Sequence, residues 1–281
     1  MKYNKIKSYA KINLALNIVG KTSNLHKIES IIAFVDLHDI ILIKSIKSKK
    51  HIISFSGKFS KNITKKNTVL KLLEILDKKK LLNDKKFQIR INKQIPSKAG
   101  LGGGSMNAGS ILKYFIKKKI IKTSKKNIIE ISNSIGSDVI LGLNFTNSIL
   151  TSTNKIKLFR KYKVFYALIV KPNFGCSTKQ IYSNVKKFNK PKIKQPLKKM
   201  FDLNCLKKMD NSLEQIALLK YPKLRLIKSY LESLGEPVFV RMTGSGSALV
   251  AYFKSKERCI SAKKMFNKKY KNYWCIASKN I

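Results

Sequence analysis

The stretch Ile95-Pro96-Ser97-Lys98-Ala99-Gly100-Leu101-Gly102-Gly103-Gly104-Ser105-Met106-Asn107-Ala108 decides how this chain is read. Just before it, Phe87 to Asn92 alternates apolar and polar residues, as a half-buried strand requires. Just after it, Ile111, Leu112, Phe115 and Ile116 recur at helical spacing, which predicts a helix from about Ser105. Four of the five residues from Gly100 to Gly104 are glycine, in a chain of 281 residues with 13 glycines. Glycine lets backbone approach a ligand closely, and a helix N-terminus presents free N–H groups and the positive end of its dipole. A strand, a glycine loop and a helix in that order make a phosphate cradle, the alternative being a plain flexible loop. The spacing is not that of a Walker A loop, since no Gly-Lys-Ser/Thr follows. Gly100-x-Gly102-x-x-Ser105 lacks the third glycine of a dinucleotide fingerprint.

Working outward, Val69, Leu72, Leu73 and Leu76 behind Asn67-Thr68 predict a capped amphipathic helix. A further helix should run from Lys125 to Ile135 and stop at Gly136. Asp138, two residues on, is the only carboxylate between Glu130 and Asp202. It reads equally as a functional group or as a turn aspartate. Near the N-terminus, Ala10 to Leu16 is an apolar strand interrupted by Lys11 and Asn13. By composition Lys11 is no more than a strand-end charge. The later chain offers strands at Val164 to Val170, Val238 to Arg241, Ala248 to Phe253 and Tyr273 to Ser278, with helices ending at Leu234-Gly235 and around Cys259 to Phe266. Between two of those strands lies the small-residue turn Thr243-Gly244-Ser245-Gly246-Ser247, a wide hairpin or the second wall of a nucleotide pocket. Strands and helices interleave without a regular βαβ repeat, which predicts an α+β fold. The change of domain is placed near residue 150.

With 43% hydrophobic residues the chain can bury a core. Its 55 lysines and 5 arginines against 14 acidic residues give a net charge of +46. That excess implies non-specific polyanion binding. Dedicated nucleic-acid readers favour the planar fork of Arg, however, and the lysines here are spread along the whole chain together with many Ile and Asn residues. Codon drift in an AT-rich genome accounts for this pattern better than a nucleic-acid interface does. Cys176, Cys205, Cys259 and Cys275 show no CxxC spacing, and His26, His38 and His51 form no ligand cluster, so no metal site is expected. Free thiols, no apolar run near 18 residues and no A-x-A cleavage pattern after the basic first 21 residues lead us to expect a cytoplasmic protein whose N-terminus is part of its mature fold.

Taken together, these motifs resemble the GHMP kinase superfamily, named for galactokinase, homoserine, mevalonate and phosphomevalonate kinases. The similar stretches are Ala10-Lys11-Ile12-Asn13-Leu14, Leu25-His26, Phe34 to Asp39, Asn67-Thr68-Val69, Lys93 to Pro96, the glycine loop, Ile135 to Val139, Asn211 to Glu214, Tyr221-Pro222 and Thr243 to Ser247. The Gly-Leu-Gly-Gly-Gly-Ser-x-Asn-Ala form of the loop resembles the branch that phosphorylates the 2-hydroxyl of a cytidine diphosphate-linked methylerythritol, a step of non-mevalonate isoprenoid biosynthesis. The resemblance implies an N-terminal domain (1–150) like ribosomal protein S5 domain 2 and a ferredoxin-like C-terminal domain (151–281). The same resemblance implies Asp138 and Lys11 as catalytic residues, with Asp138 handling the proton of the attacking hydroxyl. ATP, with Mg²⁺, would be held by Asn67, Lys93, Pro96, Gly100, Leu101, Gly102, Gly103, Gly104 and Ser105. Asn13, His26, Tyr182, Thr243 and Gly244 would bind the cytidine substrate, the Tyr182 ring stacking on cytosine.

Three residues depart from the family pattern. Leu25 stands where a Tyr usually precedes the histidine, and loss of a stacking partner is worth about 1–3 kcal/mol. Met106 replaces a small residue after Ser105, and Lys66 stands where an Asp often precedes the Asn. The competing readings are a homoserine- or mevalonate-type kinase and, from a different class, a basic nucleic-acid-binding protein.

Overall fold

Eighteen consecutive residues, Asn4–Lys21, form the first strand, β1. Ala10, Ile12, Leu14, Leu16 and Ile18 occupy one of its faces, following the two-residue period of a strand, and all are buried. The computed structural model describes every residue except 1, 23, 24, 62, 65, 161 and 162. β2 (His26–Ile46) pairs with β1 and is followed by β3 (Ile52–Ser56), α1 (Thr68–Lys78), β4 (Lys86–Asn92), α2 (Gly103–Lys117) and α3 (Lys125–Ile135). A 3-10 turn (Val139–Leu143) leads to β5 (Asn147–Leu150), β6 (Ile156–Phe159), β7 (Tyr166–Lys171) and α4 (Thr178–Ser183). The chain continues through α5 (Leu203–Lys207), α6 (Glu214–Lys220), α7 (Pro222–Glu232), β8 (Phe239–Met242), β9 (Leu249–Phe253), α8 (Lys256–Lys269) and β10 (Trp274–Lys279). The mixed order gives the α+β class that the interleaved pattern predicts.

The chain divides into two compact units that are interleaved in sequence. The first comprises Met1–Ala10, Leu37–Ser97 and Gly102–Phe145. There, Ile40 to Ile46 of β2 run antiparallel to β4, and β3 lies parallel on the other side of β4. Ile41, Ile43, Phe87, Ile89 and Ile91 from these strands meet Leu72, Leu73 and Leu76 of α1 and Ile111, Leu112 and Phe115 of α2. Each such side chain contributes about 1.5–3 kcal/mol by leaving water. Asn67 caps α1 as its sequence predicts, its side-chain oxygen accepting from Val69 N at 3.1 Å and Leu70 N at 3.0 Å.

The second unit comprises Lys11–Asp36, Lys98–Leu101 and Thr146–Ile281. Ser30 to Ile32 of β2 pair antiparallel with β5, and β5 pairs with β6. A four-stranded antiparallel sheet in the order β10-β7-β9-β8 forms the rest. Leu168, Val170, Leu249, Ala251 and Phe253 of that sheet pack with Leu224, Ile227 and Leu231 of α7 and with Cys259, Ala262 and Phe266 of α8. Among the described residues, no helix is long and apolar enough to cross a membrane.

Candidate functional site

In the first unit the glycine loop runs directly into α2. Gly102 caps the helix from the left-handed region (φ +69°), no side chain caps it, and Met106 N donates to Gly102 O at 2.8 Å. An uncapped helix start leaves N–H groups that suit an anion. Beneath it sits Asp39, fully buried. One carboxylate oxygen accepts from Gln94 N (2.7 Å) and Ile95 N (2.8 Å); the other takes the Lys93 ammonium and Asn107 Nδ2 (3.0 Å). A single carboxylate therefore ties the end of β4 to α2, on either side of the loop. Lys93 is buried with it, and its Nζ lies 3.3 Å from where a Cβ on Gly103 would stand. Thr68 Oγ1 donates to Gly104 O at 2.7 Å, joining the start of α1 to the start of α2. Met106 is fully buried, so its thioether is packed inside the unit rather than exposed along the cradle.

The same helix positions Asp138. A Cβ on Gly109 would lie 2.4 Å from Val139 O and 2.7 Å from Gly142 Cα, so the 3-10 turn packs on α2 backbone to backbone. Asp138 is the residue that opens this turn; it is partly exposed, and its carbonyl accepts from Leu141 N at 3.1 Å. Ser105 Oγ comes within 3.8 Å of a Cβ placed on Gly136, which makes the loop's serine a neighbour of the Gly136–Asp138 segment.

In the second unit, strand alternation puts Lys11 and Asn13 on one face of β1. Both are buried, at 5% and 3% exposure. Lys11 is therefore a mid-strand buried cation rather than the strand-end charge its composition suggests, because β1 extends well beyond the apolar run that marked it. Its Nζ donates to Asn13 Oδ1 at 2.5 Å, and Asn13 Nδ2 donates to Ser30 Oγ at 2.8 Å. Asn13 N donates to Thr243 Oγ1 (2.9 Å), which donates to Gly100 O (3.2 Å). Lys11 N bonds Leu101 O, Ser247 N bonds Lys98 O, and Ala248 N bonds Ala99 O. The small-residue turn is thus bound to the first half of the glycine loop. Behind the turn, Asn211 Nδ2 reaches both Met242 O and Gly244 O at 2.8 Å, Glu214 accepts from Met242 N, and Arg241 donates to Leu14 O and Leu206 O. The sequence alone gives Asn211, Glu214, Arg241 and Asp39 no site role. Their signal was a polar residue in an apolar context, which is plain only once burial is known.

An aromatic group stands apart from these contacts. The His26 and Tyr182 rings lie 5.0 Å apart at 44°, and Phe188 lies 6.3 Å from His26 at 59°. Burial first, and then the Lys21 charge, lower the His26 pKa, so the imidazole is neutral near pH 7 with one donor and one acceptor nitrogen. Leu25, next to it, is 67% exposed.

Of the residues singled out in the sequence, Asn67, Lys93, Pro96, Gly102 to Ser105 and Asp138 fall in the first unit. Lys11, Asn13, His26, Gly100, Leu101, Tyr182, Thr243 and Gly244 fall in the second. The structure brings together Lys11, Asn13, Thr243, Gly100 and Gly244; separately His26 and Tyr182; and separately Lys93, Gly103 and Asp39.

The GHMP kinases N terminal domain family matches residues 67–146, and the GHMP kinases C terminal family matches residues 189–272. The chain is 57% identical over 277 residues, 99% of each chain, to 4-diphosphocytidyl-2-C-methyl-D-erythritol kinase of Pelagibacter ubique (strain HTCC1062). It is 33% identical over 258 residues, 88% of this chain and 90% of the other, to the protein of that name from Clostridium botulinum (strain Loch Maree / Type A3). Among solved structures, a 4-(cytidine 5'-diphospho)-2C-methyl-D-erythritol kinase superposes with a TM-score of 0.78 at 21% identity, covering 99% of this chain and 100% of that one.

Proposed function

We propose, from the premise that this chain belongs to the GHMP kinase family, that it uses ATP to phosphorylate the 2-hydroxyl of 4-diphosphocytidyl-2-C-methyl-D-erythritol, a step of the methylerythritol phosphate pathway of isoprenoid biosynthesis. The observation that carries this reading is the end-to-end identity to the Pelagibacter kinase. The protein is an ATP-dependent small-molecule kinase. Residues 1–150 are assigned to its N-terminal kinase domain and 151–281 to its C-terminal one, and its free cysteines suit a reducing cytoplasm.

The substrate 2-hydroxyl oxygen attacks the γ-phosphorus of ATP, its proton passes to the Asp138 carboxylate, and the bond to the β–γ bridging oxygen breaks to release ADP. Little covalent chemistry falls to the protein in such a transfer; positioning and charge stabilisation carry it. The Lys11 ammonium, fixed by Asn13, supplies positive charge for the hydroxyl and the transferring group. The glycine residues and Ser105 at the start of α2 offer backbone N–H groups to phosphate oxygens. Asn67, Lys93, Pro96 and Leu101 complete the nucleotide-binding set, Lys93 acting from its buried pair with Asp39 beneath Gly103. His26 and Tyr182 take the cytosine, and Thr243 and Gly244 the substrate nearer Asn13. Among the described residues no group of three or more His, Cys, Asp or Glu side chains is placed to hold a metal ion. Mg²⁺ would enter with the nucleotide as part of the substrate and neutralise its phosphates.

Replacing Asp138 with Asn tests the assignment. Loss of a positioned proton acceptor lowers turnover by about 10²–10⁴-fold, with an unchanged circular dichroism spectrum and melting temperature. A variant turning over at a near-normal rate removes Asp138 from this role.

A further inference from the structure

Phe188 lies in an irregular segment after α4, and an exposed phenylalanine in such a place is ordinarily surface noise. Here the segment is stapled down. Asn189 N donates to Ile18 O at 2.8 Å, and Asn189 Nδ2 to Asn17 Oδ1 at 2.9 Å. Asn17 Nδ2 returns a bond to Lys190 O at 3.1 Å. The fully buried Glu29 carboxylate then accepts from Lys192 N at 2.8 Å and from Ile193 N. Two residues of β1 and one of β2 therefore fix the backbone immediately after Phe188. The same two strands frame His26, which begins β2.

The outcome is a ring held in place and yet 48% exposed, beside an imidazole that also touches Tyr182. Leu25, which precedes His26 in the chain, is 67% exposed and offers no π face. A planar heteroaromatic base is the ligand chemistry that such a group recognises. Aromatic rings stack on its faces, and a neutral imidazole reads its edge with one donor and one acceptor.

We propose that Phe188 is a specificity-determining residue that supplies an aromatic wall for the cytosine ring of the substrate, a part that Leu25 cannot play. The inference rests on the reading of the chain as a cytidine-substrate kinase and adds a residue to it. The anchoring by Asn17, Asn189 and Glu29 holds this wall in place before ligand arrives, so little ordering is lost on binding.

The test is isothermal titration of the full chain with cytidine 5′-diphosphate, and separately with ATP, for the wild type, Phe188→Ala, Phe188→Tyr and Tyr182→Ala. Phe188→Ala is expected to bind cytidine diphosphate about ten-fold more weakly, ~1.4 kcal/mol, with ATP affinity unchanged and the melting temperature kept. Phe188→Tyr, which retains the ring, is expected within two-fold of wild type. If Phe188→Ala binds cytidine diphosphate like the wild type while Tyr182→Ala is weakened, the aromatic site exists without Phe188 and the proposal falls alone. If folded wild-type protein binds ATP but no cytidine diphosphate, the proposal falls together with the reading it rests on.

Discussion

Gly100→Ala is a single added methyl whose consequences the structure lets one work through. Gly100 has a φ of +71°, a conformation that costs a residue with a Cβ roughly 1–2 kcal/mol. The added carbon would also stand 2.0 Å from Thr243 O and 2.9 Å from Thr243 C, against the 3.4 Å at which ordinary contact begins. Both neighbours are backbone, and Thr243 is fully buried, so no side chain can rotate away. The loop must therefore retreat by roughly 1.4 Å, stretching the bond from Thr243 Oγ1 to Gly100 O beyond its present 3.2 Å. A displacement of about 1 Å in a positioning element costs on the order of 10²-fold in rate. Steady-state kinetics with ATP varied should show kcat/KM for ATP down by about that factor. A thermal melt should fall by the equivalent of about 2–5 kcal/mol, the αL cost plus relief of the clash. A Gly100→Ala protein with kcat/KM for ATP within two-fold of wild type and an unchanged melt would refute the argument that this close approach shapes the phosphate loop.

Asp39→Asn leaves the buried Lys93 ammonium without its counter-charge, a loss of about 3–5 kcal/mol that chemical denaturation would measure; a loss below 1 kcal/mol contradicts the pairing. Because burial and Lys21 hold the His26 pKa below its usual 6.5, the unfolded chain binds the extra proton first as pH falls. Stability from this group is therefore greatest above pH 6.5 and declines below it. Correspondingly, KM for the cytidine substrate should stay flat from pH 8 to 6.5 and rise only below; a break above pH 6.5 in the wild type that is absent from His26→Asn contradicts this. Burial pushes the Cys176 thiol up to about 11 and the Cys259 thiol up to about 12. Peptide mapping after iodoacetamide at pH 8 should therefore find both unlabelled in the folded protein and labelled after denaturation, and rapid native-state labelling of either would contradict their burial.

What the sequence made legible was local. Asn67 ahead of Val69, Leu72, Leu73 and Leu76 marked α1 because a cap and a helical stripe are written in consecutive residues. Gly136 marked the end of α3, and the glycine cluster marked the start of α2. β2, although 21 residues long, carries no such local mark. Its centre, Ile31 to Val35, is apolar at every position and buried on both faces, so the two-residue period vanishes exactly where the strand is most buried. β5 opens on the polar pair Asn147-Ser148 and β6 is largely exposed, so neither four-residue strand shows the apolar run that marked the equally short β8. The site divides in the same way. The resemblance picked out His26 and Tyr182, and the structure sets their rings 5.0 Å apart. Lys11 could not be weighed among 55 lysines until its burial was known, and Asp39 was one of two aspartates in Asp36-Leu37-His38-Asp39 with nothing local to separate them. Long-range hydrogen bonds, such as Asn13 to Thr243 across 230 residues, leave no trace in spacing.

The most direct test of the central claim is Mg²⁺-dependent ADP release by the purified full chain, with 4-diphosphocytidyl-2-C-methyl-D-erythritol, homoserine and mevalonate compared in parallel. Turnover with the cytidine compound alone is the predicted result. Turnover with homoserine or mevalonate in its place, or none with any of the three in protein shown to be folded, would contradict the account.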